Sequence, residues 1–387
     1  MNLVYVSPHF PYNFIAFAER LNALGVNVLG LADESYDNLR PELKGALREY
    51  YRVDNMHNYD SLVRALGYFT HGYGKIDRLE SHNEYWLETD ARLRTDFNIH
   101  GLKLDTILHI KRKSLMKERY RNAGLAVARG CVVHSEAEAL RLIAETGYPV
   151  VAKPDIGVGA ARTYKIHNEK ELADFFASKP GMDYIMEEFV QGTVCSFDGL
   201  ADRDGKIVFY TSHVFSEGIM EVVNQDDTLY YYSLRDIPPD LEDAGRRTVK
   251  AFDVRERFFH LEFFRRHSDN RLVALEVNMR PPGGMTADMF NYANDIDVYA
   301  EWANLVVFNQ FKAIYTRPYH CGYVGRKNNR SYAHSHNEIL NRYGHGVCHH
   351  DAISGVFSAA MGNDGYLVRS PELEEVLAMT KFIQETV

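Results

Sequence analysis

Glu262, Glu276, Asn278 and Arg280 fall within one stretch, Phe258 to Gly284, FFHLEFFRRHSDNRLVALEVNMRPPGG. It reads as two apolar strands around the turn Ser268-Asp269-Asn270. With the hairpin centred on Asp269, Glu262 stands opposite Glu276 and His260 opposite Asn278. Cross-strand side chains start about 4.5 to 5.5 Å apart. Two anions that close repel unless a cation lies between them. The strand period of two puts Glu276, Asn278 and Arg280 on one face. Two carboxylates and an amide carbonyl suit a hard divalent ion such as magnesium when phosphates supply further ligands. The competing reading is a register shifted by one, with both glutamates on an exposed sheet face. Phe258, Phe259, Leu261, Phe263 and Leu272 argue against it, because carboxylates in mostly buried strands need a reason.

Lysines and small residues form a second group. Tyr148 to Lys153 is an apolar strand ending in a lysine, and Pro154-Asp155-Ile156-Gly157-Val158-Gly159-Ala160-Ala161-Arg162 follows. Small residues let a backbone approach an anion closely, and successive N–H groups can cradle phosphate. A lysine at a buried strand end calls for an anionic partner. Further on, Ile185-Met186-Glu187-Glu188-Phe189-Val190-Gln191-Gly192 is an apolar strand entering acidic residues and a glycine. It offers an apolar slot with backbone groups at its edge, and it equally fits an ordinary edge strand entering a turn.

The elements that must position these groups begin with a strand–helix alternation. Leu3 to Val6, Val26 to Leu31 and Ile76 to Ser81 read as strands, with helices over Asn13 to Leu24 and Tyr59 to Leu66. That rhythm predicts a parallel α/β sheet. The first turn, Ser7-Pro8-His9-Phe10-Pro11, lacks the G-x-G-x-x-G pyrophosphate fingerprint. Near residue 110 a boundary is expected. Helices over 112–121 and 135–145 follow, the second with a Ser135/Glu138 capping box; Asn168 opens another with Glu171 as its partner. Ser196 to Ala201 and Ile207 to Thr211 flank the turn Arg203-Asp204-Gly205-Lys206 as a hairpin. The tail reads as a strand over 365–368 and a helix over 371–386.

Composition excludes several function classes. The 387 residues carry a net charge of −9 and are 45% hydrophobic, ordinary for a soluble chain of two or three units. The basic stripe of a nucleic-acid binder is missing. Lys111-Arg112-Lys113, the one dense basic run, reads as a solvated face. The 4 cysteines, Cys131, Cys195, Cys321 and Cys348, are widely spaced, which fits a reducing compartment. With neither a signal-peptide pattern nor a long apolar run, a cytoplasmic protein without membrane contact is expected. His334, His336, His345, His349, His350 and Cys348 match no compact zinc pattern; pocket lining and surface both stay open. Tyr230-Tyr231-Tyr232 reads as sheet packing or a substrate wall.

In order, KRKSLMKERYRNAGL, YPVVAKP, the glycine loop, MEEFVQG, HLEFF and LEVNMRPPGG resemble the ATP-grasp superfamily. The resemblance runs from about Lys111 to Asn309, and the layout is similar to biotin carboxylase, carbamoyl-phosphate synthetase and the amino-acid ligases. It implies an α/β chain: an N-terminal parallel α/β domain (1–110), a two-lobed ATP-grasp domain (111–311, lobes about 111–188 and 189–311) and a small C-terminal α+β subdomain (312–387). It implies ATP with Mg2+, or Mn2+ in its place. Lys113 and Lys153 would contact phosphates. Gly157 to Ala161, with Gly159 and Ala160, would form the loop over them. Glu187, Glu188, Phe189 and Val190 would hold adenine. Glu262, Glu276 and Asn278 would bind the metal, and Arg280 would be the catalytic group at the acyl phosphate. Asn83 and Glu84 would face the substrate.

One departure is Val194, where many relatives carry a ribose-binding glutamate; Glu188 is the candidate replacement. The implied reaction is ligation of a small carboxylate, such as an amino acid, to an amine through an acyl phosphate. Carboxylate–thiol ligation, another phosphoryl transfer and a non-catalytic nucleotide-binding regulator share these contacts; intact Glu262, Glu276, Asn278 and Arg280 argue against the last. His213 to Met220 and Gly283 to Asp288 are the candidate specificity loops. A homodimer is the commonest assembly for such a chain.

Overall fold

The N-terminal alternation forms a parallel sheet. Its strands are β1 (Asn2–Val6), β2 (Asn27–Ala32), β3 (Glu49–Arg52) and β4 (Arg78–Glu80), in the order β3-β2-β1-β4. A computed structural model describes residues 1–157, 162–216, 218, 222 and 226–387. Helix Tyr59–Tyr73 runs further than its apolar pattern predicts. Its buried Leu62, Ala65, Leu66 and Phe69 pack against Val4, Val6, Leu29 and Leu31.

A second, antiparallel sheet has β5 (Gly130–Val133), β6 (Val150–Pro154), β7 (Tyr164–Ile166) and β8 (Tyr184–Glu188) in the order β5-β8-β6-β7. Helices Glu136–Thr146 and Glu169–Ser178 cover it. Each starts at a predicted cap: Ser135 accepts from the Glu138 amide, and Asn168 from the Glu171 amide. The expected Ser135/Glu138 box is only half formed, because Glu138 accepts from the His134 amide instead of the Ser135 amide. These caps satisfy amides that the first helical turn leaves unpaired.

The third sheet takes β9 (Gly192–Ala201), β10 (Ile207–Phe215), β11 (Tyr230–Ser233), β12 (Arg257–Arg266), β13 (Leu272–Asn278), β14 (His320–Arg326), β15 (Val347–Ala352) and β16 (Asp364–Ser370). Its order is β13-β12-β9-β10-β11-β14-β16-β15. The C-terminal strands thus extend the sheet that carries the hairpin. The Tyr230 stretch is sheet structure: Tyr231 is buried and its hydroxyl meets Thr286 Oγ1 at 2.8 Å.

The period of two divides β9, β10, β12 and β13 sharply. Cys195, Phe197, Phe259, Leu261, Phe263 and Val277 point into one apolar core. On the opposite face, Leu200, Phe209 and Phe258 join a second core with Phe290 and Val298. Further along that face the residues turn polar: Ser196, Asp198, Thr211, His213, His260, Glu262, Glu276 and Asn278. Carbon packing ends where the chemistry-bearing groups begin.

Two expectations change here. The basic run is not a solvated face: Lys111 and Lys113 are 8% and 7% exposed. One helix ends at Lys111, another starts at Lys113, and Arg112 between them is extended at φ −96°, ψ 110°. In an unbroken helix, residues two apart point in nearly opposite directions; this break turns both lysines inward. The hairpin tip is also displaced from Asp269. Glu262 pairs with Glu276 and His260 with Asn278, as expected, but Phe263 pairs with Ala274, leaving Leu275 as a bulge. The bulge absorbs one residue and preserves the carboxylate register.

Candidate active site

The paired glutamates sit on a continuous row across the sheet. Glu276 faces Glu262, and Glu262 faces Ser196 of β9. In the next row Asn278 faces His260, and His260 faces Asp198. Asn278 is buried, whereas Glu262 and Glu276 keep one edge toward solvent. Lys113 Nζ reaches Glu276 Oε1 at 3.1 Å. Burial works against the charged ammonium, but Glu276, with Glu84 and Glu187, outweighs it and raises Lys113 above the ordinary lysine range.

Arg280 follows the end of β13, and its Nη2 lies 2.6 Å from Glu84 Oε2. Lys111 Nζ stands 3.5 Å from Glu84 Oε1. Burial opposes the Glu84 anion, yet Arg280 and Lys111 hold its carboxyl below the usual range. Glu84, in the short helical turn Glu84–Trp86, thus joins the N-terminal sheet to the hairpin end.

A third charged group lies between helix Lys113–Asn122 and the second sheet. Glu187 on β8 receives Lys117 Nζ at 2.9 Å and Lys153 Nζ at 3.1 Å. Burial raises the Glu187 carboxyl, and the two lysines more than reverse that. Buried Asp155 accepts from the Lys113 amide through its carbonyl at 2.8 Å. Its carboxylate accepts from the Ser114 amide at 2.7 Å and the Ser114 hydroxyl at 2.9 Å. This anion caps the restarted helix and fixes Lys113 beside the strand that carries Lys153.

Lys113 therefore stands against one of two facing carboxylates, with Lys111, Lys117, Lys153 and Arg280 on the neighbouring Glu84 and Glu187. Cations gathered beside paired acids are what a polyphosphate with a divalent ion requires. Residues 146–288 match the family model for an ATP-grasp domain. The chain contains an ATP-grasp domain. The L-arginine-specific L-amino acid ligase of Bacillus subtilis is 25% identical over 251 residues, covering 61% of this chain and 59% of the ligase. This chain therefore spans under two thirds of that relative. The solved L-amino acid ligase from Bacillus licheniformis shares the fold with TM-score 0.74 at 15% identity, over 98% of this chain and 96% of that one. The biotin carboxylase domain of Hydrogenobacter thermophilus 2-oxoglutarate carboxylase, solved with MgADP and bicarbonate, aligns with TM-score 0.72 at 16% identity, over 98% and 88%. The N-terminal parallel sheet followed by antiparallel sheets is the layout of ATP-grasp ligases.

The fold brings Lys113, Lys153, Glu187, Glu262, Glu276, Asn278 and Arg280 to one region. Gly159 and Ala160 lie outside the described residues, as does most of the loop from Gly157 to Ala161; Gly157 itself follows the β6 end. Glu188 is engaged elsewhere: Arg129 holds its carboxylate with the Nε–Oε2 bond at 2.8 Å and a backbone bond to Oε1 at 2.8 Å. The amides of Glu188 and Phe189 donate to Arg129 O and Pro149 O. Val190 is buried against Ala128 and Val273.

Lys111, Lys117, Asp155, Asp198 and the site role of His260 escaped sequence reasoning. For Lys117 a signal existed, since it follows Lys113 by four residues and shares its helix face. Of the C-terminal histidines, His334 pairs with Glu385 and His345 with Glu375, while His336 and His350 pack ring on ring with centroids 4.5 Å apart. Among the described residues no group of three or more His, Cys, Asp or Glu is placed to share a metal. Among them also, no helix is long and apolar enough to cross a membrane.

Proposed function

We propose that this chain is an ATP-dependent carboxylate–amine ligase that activates a small carboxylate, such as an amino acid, as an acyl phosphate. The observation that carries the reading is the Glu262–Glu276 pair, with Lys113 against one carboxylate and Arg280 beyond the strand end. Supporting it are the domain match and the ligases that share the fold. The units 1–110, 111–311 and 312–387 are the corresponding proposed domains.

The donor set fits magnesium, with manganese as a substitute. Glu262, Glu276 and the Asn278 carbonyl provide oxygen ligands with an edge toward solvent, and a magnesium ion takes its remaining ligands from water and phosphate oxygens. Bound there, the ion would neutralise charge on the transferring phosphoryl group.

The chain's own residues then divide the work. Lys113 and Lys153 hold phosphate oxygens; each now rests on a carboxylate, so a phosphate exchanges one anionic partner for another. Glu187 and the backbone from Glu188 to Val190 would line the adenine slot. Arg280 orients the substrate carboxylate by bidentate hydrogen bonds. A carboxylate oxygen attacks the γ-phosphorus, the bond to ADP breaks, and an acyl phosphate results. The amine attacks the acyl carbon, phosphate leaves with the C–O electron pair, and the nitrogen loses a proton. Arg280 stabilises the anionic centre through both steps.

The test is release of ADP and phosphate with ATP and Mg2+ against pools of amino acids and other small carboxylic acids. Release that depends on a carboxylate and then on an added amine supports ligation. Carboxylate-dependent release that is indifferent to amines and requires a thiol overturns it.

A further inference from the structure

The polar rows on the sheet contain more than the ligand set requires. Asp198, at the centre of β9, is 0% exposed. Its Oδ1 lies 2.5 Å from His260 Nδ1, and its Oδ2 lies 2.7 Å from His213 Nδ1 and 2.5 Å from Ser196 Oγ. A buried carboxylate with three side-chain partners is expensive to desolvate and is tolerated only where it is well hydrogen-bonded. The other nitrogen of His260, Nε2, faces Glu262 Oε1 at 3.6 Å. His260 thus stands between an anchored carboxylate and the carboxylate assigned to the metal. It also faces Asn278, the third assigned ligand, across the strand pair.

We propose that His260 is a positioning residue for the metal site, with Asp198 fixing the ring so that its Nε2 edge confines the Glu262 carboxylate to its ligating orientation. This rests on the metal reading of Glu262 and Glu276 given above. The physical reason is the geometry of facing glutamates. A glutamate has three rotatable side-chain bonds, and a strand pair alone does not aim its oxygens. Lys113 fixes Glu276 from one side. Among the described residues no lysine pairs with Glu262; His260 is the group at hand, and its ring cannot turn without breaking the bond to Asp198. Outer groups that orient ligands commonly contribute about 10- to 100-fold in metal affinity.

His213 provides the internal comparison. It shares Asp198 but stacks on Phe290, with ring centroids 5.7 Å apart, on the side away from β12. The two rings therefore load the same carboxylate, and only His260 continues to Glu262.

The experiment uses the full chain with Mn2+ and ADP and follows free Mn2+ by electron paramagnetic resonance, with thermal unfolding in parallel. In His260→Asn the amide keeps a donor for Asp198 and lacks the reach to Glu262. The expected result is Mn2+ affinity weakened about tenfold or more with a near-wild-type unfolding midpoint. His213→Asn is expected to lower the midpoint while Mn2+ affinity stays within about threefold, since no path leads from it to Glu262. Wild-type Mn2+ affinity in His260→Asn overturns the proposal, as does an equal loss in both variants, which would mark general damage to the sheet. Glu276→Gln separates the two levels. If it loses Mn2+ while His260→Asn does not, only the positioning role fails. If it binds Mn2+ like wild type, the metal site itself fails and this role with it.

Discussion

Arg280 and Glu84 meet at 2.6 Å although 196 residues separate them. One follows the carboxylate hairpin; the other belongs to a turn after the N-terminal sheet. The same glutamate holds Lys111, so a single carboxylate aligns two cations at the rim of the site.

Removing that charge should loosen the rim. Glu84→Gln keeps the volume and leaves Arg280 and Lys111 without their anion. Stability should fall by on the order of 2 kcal/mol, less than for a fully buried pair because Arg280 keeps some solvent contact. The KM for the carboxylate substrate should rise while ATP affinity stays near wild type. Denaturant unfolding and steady-state kinetics read the two effects separately; unchanged carboxylate KM would remove Glu84 from the substrate side.

Glu276→Gln should abolish carboxylate-dependent phosphate release, by about 100-fold or more, with the fold intact. The substitution removes a ligating charge and almost no volume. Circular dichroism and phosphate release together check it, and near-wild-type turnover would sink the metal assignment.

Lys113→Met and Arg112→Met should differ sharply. Lys113 is buried against Glu276, and its loss should lower kcat/KM for ATP by roughly 100-fold. The Arg112 side chain is 37% exposed and pairs at 3.6 and 3.7 Å with Asp155 and Asp183, so its loss should change kcat/KM by less than about threefold. Equal losses would mean that the helix break, rather than the phosphate contact, is what Lys113 supports.

Acid should weaken the fold through His82. Its ring stacks on Phe17 with centroids 4.0 Å apart, near Trp302. Burial pushes the imidazole down to about 3. The group's stabilising contribution is therefore complete above the unfolded value near 6.5 and is lost as pH falls from there toward 3. His82→Asn suits the positive φ of 56° at this position. Its unfolding midpoint should start lower at neutral pH and decline less between pH 7 and 5. An equal decline in both proteins would assign the acid sensitivity elsewhere.

Much of the site was legible because it lies within one hairpin. Alternation along β12 and β13, plus a turn, places Glu262 against Glu276 without knowledge of the rest of the chain. Leu275 shows where that logic is incomplete: a bulge moved the tip by one pairing, and its compensation is invisible in apolar spacing. Lys111-Arg112-Lys113 was misread for a related reason. Three consecutive cations look like a solvated face until a break at Arg112, supported by Asp155 from another segment, turns two of them inward. The caps at Ser135 and Asn168 were readable because a cap and its amide are only three residues apart.

Local pairing, then, was settled by the chain's own order: the alternating α/β start, the capped helices, and the hairpin with its facing carboxylates. Backbone hydrogen bonding imposes those periods on any segment of suitable composition. The Glu84 bond to Arg280, the sharing of Glu187 by Lys117 and Lys153, and the placement of Asp198 behind His260 had to await folding. They depend on strand order β13-β12-β9 and on helices docking across sheets. Those arrangements follow from burying apolar faces against one another, and residue spacing carries no record of which distant faces will meet.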